Sequence, residues 1–187
     1  IDAQIGLMLE SLKRNGHWDD TIIVFTSDHG HHLGEHSLWG KVTLFEECAR
    51  VPMIVRVPGR TQNGSQTEGL IELVDIFPTL SDLCRIPAPH TLQGKSFASL
   101  LDDPQGSGKK VAYTVVSRGK LLGRSIRTTR WRYAEWGSSG QAELYDLKSD
   151  PYEDHNLSED TRHLQQRQTM HQLLVKAQAE AQSELAH

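Results

Sequence analysis

The run TIIVFT, from Thr21 to Thr26, leaves this chain few folds to choose from. It is β-branched and apolar without alternation, the pattern of a strand buried on both faces in a helix-covered sheet. A polar, histidine-rich segment from Ser27 to Lys41 follows directly, and Val51 to Val57 (VPMIVRV), closed by Pro58-Gly59, predicts a second strand of the same kind. Ahead of them Ile1, Ile5, Met8, Leu9 and Leu12 form one apolar helical stripe that Asn15-Gly16 would stop. Helix, strand, long loop and strand predict an α/β fold, a sheet flanked by helices. Because the stripe is already under way at Ile1, we expect the sequence to begin inside a longer protein.

Downstream, a short apolar stretch from Leu70 passes into a helix reaching Cys84, with Asp75 as its cap and Pro78 in its first turn. Ile86 to Pro89 ends it. Residues 102–110 (DDPQGSGKK) are rich in turn formers and charge, and divide the chain into a unit of residues 1–101 and a smaller one of residues 111–187. In the second unit, Val111–Val116, Gly123–Thr128, Trp131–Trp136 and Glu143–Leu147 predict a four-stranded antiparallel sheet at hairpin spacing. Met170, Leu174, Ala177, Ala181 and Leu185 then line one face of a carboxy-terminal helix.

Composition narrows the function classes. A net charge of -4 and a pI near 6.2 give no concentrated basic face for nucleic acid. No apolar run approaches the roughly 20 residues of a transmembrane helix. Cys48 and Cys84 are spaced for neither a zinc ribbon nor a disulfide scaffold, and read as partly buried free thiols. Nothing in the patterning specifies an oligomeric state.

Chemistry is expected where a strand of an α/β sheet ends at its carboxyl edge, which is where Ser27-Asp28-His29-Gly30 falls. Asp28 offers a carboxylate, His29 an imidazole, and Gly30 lets the backbone turn so that both face one point. The pair is a half-site for a divalent metal. Equally, Asp28 could cap a turn while His29, His31, His32 and His36 decorate a solvated loop, and four-residue motifs by themselves do not decide between the two.

The continuation is more specific. Gly34-Glu35-His36, Trp39-Gly40-Lys41, Phe45-Glu46-Glu47 and Arg50-Val51-Pro52 resemble the type I, formylglycine-dependent sulfatase family in its carboxy-terminal portion. The stretches Glu72–Leu80 and Glu143–Leu157 resemble it too, and Gly123–Thr128 with Trp131, Tyr133 and Trp136 is most similar to the iduronate-2-sulfatase subgroup. The resemblance implies an alkaline phosphatase/sulfatase-like sheet and hydrolysis of a sulfate ester, such as a sulfated saccharide. It implies Asp28 and His29 as metal ligands, Lys41 as the catalytic sulfate contact and His36 as a further substrate contact. Calcium is the family's usual ion and suits the hard oxygen of Asp28 better than the softer nitrogen of His29, which leaves two roles open for His29, a weak metal contact or a hydrogen bond to substrate. Export to a periplasmic, secreted or lysosomal-type compartment also follows from the resemblance.

The family's nucleophile is a formylglycine made from Cys or Ser in C/S-x-P-x-R. Cys48 is followed by Ala-Arg-Val-Pro and Cys84 by Arg-Ile-Pro-Ala, and no serine satisfies the motif. The nucleophile is therefore expected upstream, and the chain alone is expected to be an inactive fragment. A phosphodiesterase or phosphatase of the alkaline phosphatase superfamily, and a non-catalytic fragment, remain the alternatives.

Overall fold

The computed structural model describes residues 1–60, 64–89, 91–137 and 140–183. Helix α1 (Asp2–Arg14) closes at Asn15, whose N–H reaches the carbonyls of Ser11 and Lys13, and Gly16 follows at φ 76°. Asn15-Gly16 is thus the stop that was expected. No residue of α1 is buried, and Met8 of the anticipated stripe is 70% exposed.

The first strand, β1 (Ile23–Thr26), pairs antiparallel with β4 (Met53–Arg56), Phe25 lying opposite Ile54. Burial on both faces does not hold for this pair among the described residues. Phe25 is 41% and Ile54 63% exposed, because the two-stranded ribbon has one face that nothing described covers. Between these strands the loop folds into a small hairpin, β2 (His32–Leu33) and β3 (Trp39–Gly40), joined through a 3-10 turn at Glu35–Ser37. Helix α2 (Glu46–Ala49) then returns the chain to β4.

Asp75 holds the N-cap position of the helix reaching Cys84, but its side chain makes no cap hydrogen bond to that helix. It ends the 3-10 turn Leu73–Asp75 that leads into α3 (Ile76–Cys84), and across that turn it and Glu72 form a reciprocal capping box. Its carboxylate also accepts from Lys95 N–H at 2.7 Å. Pro78 lies in the first turn of α3, and the helix ends at Arg85 in the left-handed region (φ 57°). Cys48 and Cys84 are both free, Cys48 buried and Cys84 exposed rather than partly buried. After α4 (Ala98–Asp102) the turn-rich segment leads to Lys109, whose ammonium stands 2.6 Å from the buried Asp75 carboxylate and also pairs with Glu72.

Strands β5 (Ala112–Arg118), β6 (Leu121–Arg127), β7 (Trp131–Trp136) and β8 (Gln141–Asp146) form a four-stranded antiparallel meander in chain order. The long helix α5 (Leu164–Ser183) packs on it. Together they make the expected small antiparallel sheet with its carboxy-terminal helix. Ile126, Tyr133 and Leu144 from the strands meet Met170 and Leu174 from the helix, all 2% exposed or less, with Ala177 against them. Each large side chain so buried stabilises the fold by about 1.5–3 kcal/mol. Leu185, the last residue of the anticipated stripe, lies outside the described residues. Glu135 fastens the same joint from the side, accepting from His171 Nδ1–H at 2.6 Å and from the Tyr133 hydroxyl at 2.7 Å.

Candidate active site

The end of β1 and the end of the hairpin bring Asp28, His29 and Lys41 together. The Lys41 ammonium donates to His29 Nε2 at 2.9 Å, and Asp28 Oδ2 stands 3.2 Å from the same nitrogen. Since Lys41 can only donate, Nε2 presents its lone pair and Nδ1 carries the proton, which it gives to the Gly30 carbonyl at 2.9 Å. Two lone pairs, of Asp28 Oδ2 and His29 Nε2, therefore converge on one region, and a positive charge is what reconciles them. The His29 N–H bond to Asp28 Oδ1, 3.0 Å, holds the Asp28 carboxyl below its usual range and keeps it ionised. Asp28 is 82% exposed in its side chain and His29 39%, and with Lys41 they line an open cleft of about 1460 Å³ that also takes in Arg127, Thr129 and Arg132.

Gly30 is fixed by packing. Its N–H donates to the Cys48 carbonyl at 2.9 Å, and a Cβ there would lie 1.8 Å from the Glu47 carbonyl oxygen. Only glycine lets α2 lie against the chain next to Asp28 and His29.

The other histidines separate by burial. His32 is wholly buried, sharing a 2.8 Å hydrogen bond with the Thr43 hydroxyl through Nε2, and burial lowers its pKa so that it stays neutral. It is a core residue, not one of a solvated loop. His36 stacks on Phe45 at 3.9 Å between ring centroids and approaches Glu47 at 3.7 Å. It is not part of the Asp28–His29–Lys41 convergence. His31 Nδ1–H donates to the His32 carbonyl.

A second polar cluster, which no local motif announces, borders the same cleft. Arg127 and Arg132 stand directly opposite each other on β6 and β7, a like-charge pair that destabilises a sheet unless an anion is shared. Glu46 of α2 is that anion, 3.2 Å from Arg127 Nε and paired with Arg132. Burial pushes the Glu46 carboxyl up, but the charges of Arg132 and Arg127 outweigh it and hold the group below its usual range. Glu153, 2% exposed and at φ 58°, closes the cluster: it accepts from the Glu46 N–H at 2.6 Å and pairs with Arg132 Nε at 2.7 Å. Here burial wins and raises the Glu153 carboxyl to about 7, against the opposing pull of Arg132.

Residues 34–180 match the family described as N-sulphoglucosamine sulphohydrolase, C-terminal. The chain belongs to that sulfatase family. It is 31% identical to an N-acetylglucosamine-6-O-sulfatase of Bacteroides thetaiotaomicron over 95% of this chain and 34% of that protein. It is 31% identical to the human iduronate 2-sulfatase over 87% of the chain and 42% of the relative. Iduronate 2-sulfatases thus stand beside other sulfatases among its relatives. The chain spans between a third and about two-fifths of the length of these two proteins. Among solved structures, a protein in complex with its substrate D-glucosamine-2-N,6-O-disulfate superposes with a TM-score of 0.92 at 30% identity, over 97% of this chain and 39% of that one. The phosphonate monoester hydrolase of Agrobacterium radiobacter superposes at 0.84 with 28% identity, over 96% of this chain and 39% of that one. The alkaline phosphatase/sulfatase-like fold expected from the motifs is therefore present.

Proposed function

We propose that this chain supplies the charge-neutralising half of the active site of a sulfuric ester hydrolase acting on a sulfated saccharide. The observation that carries the reading is the convergence of Asp28, His29 and Lys41 at the end of β1. A sulfate monoester spreads negative charge over the oxygens around sulfur, and hydrolysis needs that charge held by fixed cations in a site that is already organised. Lys41 provides one such cation.

The donor set also fits part of a divalent metal site. Asp28 and His29 would hold the ion, Asp28 as an ionised oxygen donor and His29 through the lone pair on Nε2 that now faces Lys41. No group of three His, Cys, Asp or Glu able to hold a metal occurs among the described residues, so these two would share the ion with donors outside them. Calcium, the hard cation expected of the family, would lower the charge on sulfate oxygens when bound. His36, stacked on Phe45 at the turn of the hairpin, would be a further substrate contact.

On this reading the formylglycine nucleophile lies in a part of the protein outside these residues, and the chain by itself is inactive. The relatives favour a sulfated amino sugar or uronic acid as substrate. Export from the cytoplasm, common in the family, completes the proposal. A phosphonate or phosphate ester is the second reading, favoured by the phosphonate monoester hydrolase likeness. A release assay with the complete protein over sulfated glucosamines, sulfated uronic acids and a phosphonate monoester separates the two. Sulfate release supports the first reading; phosphonate turnover with no sulfate release supports the second and overturns the first.

A further inference from the structure

The segment Val42–Glu46 connects Lys41 to α2, and the antiparallel sheet grips it at both ends. At one end Arg118 Nε, at the close of β5, donates to the Val42 carbonyl at 2.6 Å. Val42 sits at φ 72°, a left-handed conformation that is strained for a β-branched residue and persists only where surrounding contacts enforce it. At the other end Glu46 is held by Arg127 and Arg132 through its carboxylate and by Glu153 through its N–H. In between, Thr43 bonds His32, Leu44 is 2% exposed and Phe45 stacks on His36. Five consecutive residues are thus held immediately after Lys41, and three of the anchors, Arg118, Arg127 and Arg132, come from strands 76 or more positions downstream.

We infer that Arg118 and Arg132 are positioning residues that clamp Val42 and Glu46 and thereby set where the Lys41 ammonium stands relative to His29. The small sheet then acts on the catalytic apparatus through the placing of Lys41. The clamp explains why a strained Val42 is kept beside a flexible lysine. Released, the backbone after Lys41 relaxes out of the left-handed region and carries the side chain with it.

The catalytic consequence of this inference rests on the role proposed for Lys41, whereas its geometric content does not. Two measurements on the complete protein separate them. The first is the crystal structure of Arg118→Ala, chosen because Arg118 is exposed and its loss leaves the core intact. The expected result is a Lys41 ammonium out of hydrogen-bonding range of His29; a contact retained at its parent distance overturns the inference, whatever the activity. The second is a kinetic cycle on an aryl sulfate. Misplacing a charge-neutralising group should lower kcat/KM by about tenfold in Arg118→Ala, with Arg118→Lys recovering part of it and the melting temperature little changed. Because Arg118 acts only through Lys41, Arg118→Ala combined with Lys41→Ala should be no slower than Lys41→Ala alone. Losses that multiply overturn the inference. If Lys41→Ala is itself silent, the role proposed for Lys41 has failed, and the crystal structure still decides the clamp.

Discussion

Lys41 reaches His29 across twelve positions of sequence, its ammonium 2.9 Å from Nε2, because the β2–β3 hairpin folds the histidine-rich loop back onto the end of β1. That contact turns a polar loop into a candidate site. An ionised carboxylate, an imidazole lone pair and an ammonium group meet at an open cleft, with a glycine beside them that packing does not allow to be anything else.

Gly30→Ala tests the packing. Its new methyl would overlap the Glu47 carbonyl oxygen, so α2 and the Asp28–His29 turn must part. We expect a loss of about 1–3 kcal/mol in denaturant unfolding, the usual cost of overpacking, together with a fall in sulfate release by the complete protein. Unchanged stability would show that α2 does not lie against Gly30.

Asp28→Ala should abolish metal-dependent sulfate release in the complete protein, whereas His31→Ala should leave it within about twofold, since His31 only bonds the His32 carbonyl. Equal loss in both variants would point to a histidine-rich metal site of the zinc type.

Glu153 makes a pH prediction. Its carboxyl titrates near 7 in the folded protein, above its unfolded value, so the native state binds more protons between these limits. Stability from this group is fully present below the unfolded pKa and is lost as pH rises through about 7. Glu153→Gln should therefore be matched with the parent near pH 5 and gain on it by pH 8 in melting temperature. A variant that falls further behind at pH 8 would show that ionised Glu153 is a net stabiliser through Arg132.

Leu174→Ala should cost about 2–5 kcal/mol in denaturant unfolding, because the side chain is 1% exposed within the sheet and helix core. Val175→Ala, at 51% exposure, should cost less than about 1 kcal/mol. Similar losses would mean that α5 is docked by another face.

Much of this was legible in the sequence where the determinants are local. Hydrophobic periodicity marked Met170 and Leu174, Asn15-Gly16 marked the end of α1, and strand patterns gave all four strands of the meander to within a few residues. Asp28 and His29 were proposed from a motif and Lys41 from the family resemblance of its continuation, and the structure brings the three side chains within hydrogen-bonding distance. Burial was less legible. His32 looks like its neighbouring histidines but is enclosed by Thr43, Phe45 and His36, none of which a loop pattern can assign as walls. The Glu46–Arg127–Arg132–Glu153 cluster was invisible for a different reason. Its members lie 81 to 107 positions apart where they bond Glu46, and only the strand register that sets Arg127 against Arg132 creates the need for a shared anion. The exposure of Phe25 and Ile54 could not be read either, since an apolar strand looks the same whether or not a partner covers its face.

The central claim is that the group joined to His29 neutralises the charge of a sulfate ester, and the most direct measurement is sulfate release by the complete protein carrying Lys41→Ala. The account predicts a fall in kcat/KM of about a hundredfold or more, with the melting temperature unchanged and Lys41→Arg restoring part of the rate. Full activity in Lys41→Ala would contradict it.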